Sequence, residues 1–223
     1  MMIRPSTVIL LIFILTEASA IWPVGQYCLP MPSNERCPVG WERGYRFQTT
    51  EGRNRVDADQ LYVATRGKDL GWGFCCKSRV MFLRAISWPK GNYCIFRKGG
   101  FCPPRFMEGS IHWDDKDRGN TNSAEGTLPD GRYDHNTQIY FCCRHDGPRM
   151  LIGLPRCSSL ILMKFDTCPT VSGYLGPFEQ YIDWNTEDLF NNDRAIQAYP
   201  DGFSQHPSGT KLEFCTYISS YSC

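Results

Sequence analysis

Trp22-Pro23-Val24-Gly25-Gln26-Tyr27-Cys28 returns 66 residues later as Trp88-Pro89-Lys90-Gly91-Asn92-Tyr93-Cys94. A fainter echo starts at Leu154-Pro155, another 66 residues on. Working outward, a Cys-Pro follows each copy: Cys37-Pro38, Cys102-Pro103 and Cys168-Pro169. An aromatic-Cys pair closes each one: Phe74-Cys75, Phe141-Cys142 and Phe214-Cys215. Between them recurs an aromatic, then a carboxylate, then Asn: Phe47/Glu51/Asn54, Trp113/Asp117/Asn120 and Trp184/Asp188/Asn191. Four markers in one order at a fixed period indicate a repeated structural unit. The modules fall at 21–87, 88–153 and 154–223.

Each copy reads as β structure. Tyr93-Cys94-Ile95-Phe96, Gln138 to Cys143 and Leu160 to Phe165 are short, apolar and rich in β-branched or aromatic residues. Gly, Pro, Asn and Asp bound them. Leu128-Pro129-Asp130-Gly131 and Tyr199-Pro200-Asp201-Gly202 carry turn chemistry, Pro presetting φ and Gly tolerating its positive values. Glu187 to Ala198 is the nearest approach to a helix, as one short segment. The expectation is an all-β, disulfide-rich single domain of three repeated modules with pseudo-threefold (trefoil- or prism-like) arrangement; a two-sheet β-sandwich is the alternative.

Compartment follows from the first residues. Arg4, the apolar run Val8 to Leu15 and the small-residue site Ala18-Ser19-Ala20 make residues 1–20 a secretory signal peptide, too short to span a bilayer. The mature domain then covers 21–223, and no second apolar stretch reaches spanning length. Twelve cysteines in a secreted chain read as a disulfide framework. No C-x2-C pair or ligand-spaced histidine pair supports a metal site. A net charge of +1 with no long run of one sign argues against nucleic acid. There is no N-x-S/T sequon.

The repeat also proposes connectivity. In the third copy Leu160 occupies the place matched to Cys94 and Thr216 the second place of the Cys-Cys pair, so both partners of one bond vanish together. That pairs Cys94 with Cys143 and Cys102 with Cys142. By analogy it pairs Cys28 with Cys76, Cys37 with Cys75 and Cys168 with Cys215, leaving Cys157 for Cys223. Each bond is worth roughly 2–4 kcal/mol.

The strings WPxGxYC, CPxxFxEG, WDDxDxxNxN, GxLPDGxYDxNTxIYFCCRxDG and FCTY resemble the apextrin C-terminal (ApeC) domain family over the whole mature chain. The resemblance implies a secreted, extracellular protein, in some members joined to a perforin-like domain and in some a binder of bacterial peptidoglycan and muramyl peptides. Others are associated with extracellular adhesion. The family pattern has about eight cysteines, so Cys28, Cys76, Cys157 and Cys223 are additions here. Gln48-Thr49-Thr50-Glu51 departs from the family's usual Asp after Gln.

The densest polar cluster is Trp113, Asp114, Asp115 and Asp117 with Asn120 and Asn122. As a ligand loop, Trp113 packs on a sugar face while carboxylates and amides bond hydroxyls. The same oxygens offer a weak Ca²⁺ option, lacking EF-hand spacing and its Gly; no other cofactor or metal is expected. The structural alternative has the Asp and Asn side chains capping turns above a buried Trp113. Arg43, Arg46, Arg53, Arg55 and Arg66 make the first copy basic and suited to anionic wall polymers. Asp130, Asp134 and His135, or Glu108 with Asp114, are the candidates for acid–base chemistry, but no nucleophile motif accompanies them. The expected function is non-enzymatic recognition of bacterial cell-wall glycan or peptide in innate immunity. A matrix or adhesion component is the alternative, and a cell-wall polymer hydrolase comes third.

Overall fold

The computed structural model describes residues 21–221 apart from 53, 80–85, 116–118, 148–149, 158, 187–191 and 204–209. The first cysteine set carries β1 (Tyr27–Pro30), β2 (Glu42–Gln48), β3 (Arg55–Asp57), β4 (Val63–Arg66) and β5 (Asp69–Lys77). The second carries β6 (Asn92–Arg97), β7 (Met107–Trp113), β8 (Ser123–Gly126), β9 (Gly131–Tyr133) and β10 (Thr137–His145). β11 (Leu151–Ile152) ends the second module, and the third set carries β12 (Ser159–Lys164), β13 (Thr170–Val171), β14 (Leu175–Trp184), β15 (Arg194–Gln197) and β16 (Thr210–Ile218). The chain is all-β, with no helix among the described residues. The signal-peptide segment lies outside them. So does 187–191 of the helix candidate, whose remainder corrects that expectation: Arg194–Gln197 pairs antiparallel with β7. A short isolated helix is marginal in water, whereas the β7 edge offers these residues a ladder.

Fourteen strands form one curled antiparallel sheet, and β11 with β13 form a small parallel pair. Three strands run side by side at its centre, β1 beside β6 and β6 beside β12. Each also pairs with the long closing strand of its own set: β5, β10 or β16. Those strands in turn hold β2, β7 and β14. The outer edge of each is then filled by a strand from a different set, β8 on β2, β15 on β7 and β3 on β14.

Alternation along the central strands supplies two cores, because successive side chains leave opposite faces of a strand. Cys28, Cys94, Phe96, Ile161 and Met163 enter the inner core; Tyr27, Leu29, Tyr93, Ile95, Leu160 and Leu162 enter the outer one. Burial on both faces is why these segments read as continuous apolar runs. At the inner core's centre Trp72, Trp113 and Trp184 stand 5.8–6.1 Å from one another. Phe47, the marker aromatic of the first copy, is buried elsewhere, and Trp72 from β5 supplies the third ring. Trp22 and Trp88 both pack in the outer core.

Disulfides join Cys28 to Cys76, Cys37 to Cys75, Cys94 to Cys143, Cys102 to Cys142 and Cys168 to Cys215. Cys157 is also disulfide-bonded; Cys223 lies outside the described residues. The register corrects one assignment. Cys28 faces Cys76 and Cys94 faces Cys143 across their ladders, and Thr216 faces Ile161. Ile161, not Leu160, therefore stands where the other copies have cysteine. A one-residue offset exchanges the two faces of a strand, and Leu160 points into the outer core.

Candidate functional site

The Trp113 loop follows β7 and is a brace. Trp113 is wholly buried between Trp72 and Trp184, so its ring cannot stack on a sugar, correcting the ligand-platform expectation. Asp115 is also fully buried, which withdraws it from surface contact. The half-buried Asp114 donates its backbone N–H to Asp193 Oδ1 at 2.6 Å. Asn120 Nδ2 donates to the carbonyls of Asp115 and His135. Asn122 accepts from the Thr49 N–H at 2.6 Å and donates to the His135 carbonyl at 2.9 Å. These amides tie the loop to the end of β2 and to the β9–β10 turn. Asp117 lies outside the described residues. Among those described, no group of three or more His, Cys, Asp or Glu side chains is placed to hold a metal ion.

Beneath the loop sits a buried polar network. Asp115 Oδ2 accepts from Thr137 Oγ1 at 2.7 Å and Gln48 Nε2 at 3.1 Å, and lies 3.6 Å from Arg46 Nη2. Arg46 donates to Thr137 Oγ1 and to the carbonyls of Tyr133 and Asp134. Gln48 Oε1 accepts from Trp72 Nε1 at 2.9 Å, linking the network to the tryptophan cluster. Burial pushes the Asp115 carboxyl up to about 6, against the opposing pull of Thr137, Arg46 and Gln48. Burial likewise lowers Arg46, opposed by Asp115. For both ions desolvation outweighs attraction, as buried pairs commonly show.

Arg46 is fully buried, so it leaves the proposed basic docking face. Arg66 stacks 3.8 Å over Phe47 and pairs with Glu125; Arg53 is not among the described residues. The acid–base candidates are turn braces. Asp130 accepts from the Gly99 and Gly100 N–H groups and from Arg97 Nε. The Asp134 and His135 carbonyls accept from Arg46 and the two asparagines. Glu108 pairs with Arg97 at 2.6 Å. Glu108 near the start of β7 and Asp114 just past its end are six residues apart on extended chain. That places them about 20 Å apart, well beyond the roughly 5–9.5 Å of a glycosidase carboxyl pair.

A better-formed site lies on the outer side of the sheet, where the first and third sets meet. A cavity of about 250 Å³ has Trp22, Leu29 and Leu160 in its lining, with the Cys37–Cys75 disulfide in its wall. Arg36 and Arg43 also line it; both residues are exposed, and neither has an ion-pair partner among the described residues. β2 carries Arg43 opposite Cys75, and the Cys28–Cys37 loop carries Arg36 beside its disulfide. Guanidinium side chains lining an apolar-walled cavity can hold a carboxylate on a partly apolar ligand. Arg43 was among the sequence candidates. Arg36 was not; its signal is its place immediately before Cys37-Pro38.

A family model described as the C-terminal domain of apextrin, ApeC, matches residues 22–217. No curated protein and no solved structure gives a significant match. Five disulfides within that domain are consistent with an extracellular protein, and no helix among the described residues is long and apolar enough to cross a membrane. With the match spanning residues 22–217 of a 223-residue chain, the chain belongs to the ApeC family.

Proposed function

We propose that the protein is a secreted, non-enzymatic recognition protein of innate immunity that binds bacterial cell-wall peptidoglycan through its muramyl-peptide carboxylates. The observation that carries the reading is that Arg36 and Arg43, neither with an ion-pair partner among the described residues, line the outer cavity together with its apolar side chains. A planar fork suits bidentate carboxylate recognition, and the apolar lining suits the methyl groups of lactyl and alanyl units. The cavity of about 250 Å³ suits one such unit rather than a whole glycan repeat. Recognition of a polymer then gains strength from many copies engaging one surface.

The test is retention of purified protein on insoluble peptidoglycan, with chitin as the uncharged control. The wild type is expected to be retained on peptidoglycan, and Arg36→Ala/Arg43→Ala to lose at least about tenfold in affinity, the size of one charge-assisted contact. Equal retention of the double variant would remove the cavity from the reading. Equal retention on chitin would remove the carboxylate, and release of soluble fragments would reinstate a hydrolase.

A further inference from the structure

Three turns of this chain share one geometry, but only two of them have glycine at the third position. They are Pro38-Val39-Gly40-Trp41, Pro103-Pro104-Arg105-Phe106 and Val171-Ser172-Gly173-Tyr174. In each the fourth N–H donates to the first carbonyl, at 3.0, 3.2 and 3.3 Å. In each the third residue has positive φ, at 80, 72 and 79°. Each ends on an aromatic packed against the outer core: Trp41, Phe106 or Tyr174. This is the type II turn, whose third position calls for glycine. Two copies supply it. A Cβ on Gly40 would meet nothing within 4 Å, so φ alone accounts for glycine there. The second copy instead holds Arg105 in the left-handed region that bulky side chains avoid.

Arg105 lines a cleft of about 300 Å³ on the outer side of the sheet, with Trp88, Lys90, Pro103, Pro104 and Arg144. Lys90 stands where the first copy of the motif has Val24. Arg105 and Lys90 are exposed and have no ion-pair partner among the described residues. Arg144 is buried and committed, donating to Asp146 and to the Trp88 carbonyl. Thus the cleft has two exposed cations over a proline and indole wall: Lys90, in the field of the Asp146 carboxylate that Arg144 holds, and Arg105, held at a strained position that its sister turns relieve with glycine. Backbone strain of this kind concentrates where a side chain is needed for contact.

We propose that this cleft is an anion-binding site, separate from the Arg36–Arg43 cavity, for a carboxylate or phosphate group carried on a ligand with an apolar face. Arg105 and Lys90 supply the charge, and Trp88 and the prolines supply the wall. The test uses the disulfide-intact protein and Arg105→Gly, titrated with N-acetylmuramic acid and with inorganic phosphate while the arginine Nε–Hε and Trp88 indole N–H signals are followed by NMR. The wild type is expected to show a saturable change at Arg105 and at Trp88 with at least one anion, the two arms separating carboxylate from phosphate. In Arg105→Gly the saturable change at the Trp88 indole N–H, which lines the same cleft and not the Arg36–Arg43 cavity, is expected to need at least about tenfold more anion, yet the variant is expected to melt about 2–4 °C higher because the strain is gone. No saturable change with either anion overturns the proposal, as does unchanged binding by the variant. A melting temperature that fails to rise also overturns it, since the turn would then favour arginine for structural reasons.

Discussion

Replacing Asp115 by Asn is expected to flatten part of the pH dependence of stability. The carboxyl is fully buried, and burial raises it from 3.8 to about 6 in the fold. An acid raised in the folded state contributes stability that is complete below its unfolded value and lost as pH climbs through its folded value. The window therefore runs from about pH 4 to about pH 6–7. The displacement corresponds to roughly 3 kcal/mol by pH 7, most of it developing above pH 4. Asp193 and Asp201 are raised by burial and act in the same direction, while Asp134 and Asp146 are lowered and act against it. The wild-type profile is a composite of these, so the informative quantity is the difference from Asp115→Asn at each pH. Urea unfolding with disulfides intact, at pH 4, 5, 6 and 7, should show that difference moving by about 2–3 kcal/mol in favour of the variant as pH rises. The Asp115 carboxyl carbon shift should titrate near 6 in the wild type. A difference constant to within about 0.5 kcal/mol, or a carboxyl titrating near 4, would refute the claim that desolvation outweighs Arg46.

Trp113→Ala should lower unfolding free energy by about 3–5 kcal/mol in denaturant titrations, as for large-to-small core changes, while its folded fraction keeps peptidoglycan retention; lost binding with unchanged stability would restore the ligand-platform view. Removing the Cys168–Cys215 bond with a double Ala variant reopens a separation of 47 residues and should cost roughly 4 kcal/mol by calorimetry. Gly109→Ala places a Cβ 2.0 Å from the Ala198 carbonyl, so the backbone must move. It should cost about 1–3 kcal/mol and hasten amide exchange in β15 first.

The strands were legible where local chemistry decides them. Doubly buried β6 and β12 left short apolar runs, while Pro129-Asp130-Gly131 leads into β9 and Pro200-Asp201-Gly202 follows β15. Other features depend on partners far away in sequence. Strand alternation puts Arg43 and Arg46, three positions apart in β2, on opposite faces, but it does not say which face is internal; Arg46 is internal because Asp115 and Thr137 arrive from the second set to receive it. Trp113 drew attention as a binding aromatic for its polar neighbours, yet those neighbours bond to Thr49, just past β2, and to the His135 carbonyl and close over it. The Leu160 assignment failed by one residue because spacing at 66 ignores the extra position that the ladder places before Ile161. The Arg36–Arg43 cavity was invisible because its lining includes Leu160, more than a hundred residues away.

The circular lending of strands between sets has a temporal consequence. A growing chain that has reached Cys143 contains β7 without β15, and β3 without β14. Neither edge can close until the last third of the polypeptide has been made and threaded into place. Until then each is a template for any matching strand within reach, including one from another copy. Refolding at high concentration is therefore expected to yield swapped assemblies, visible as larger species by light scattering and suppressed by dilution. In the cell, the same interval is when a chaperone has most to do.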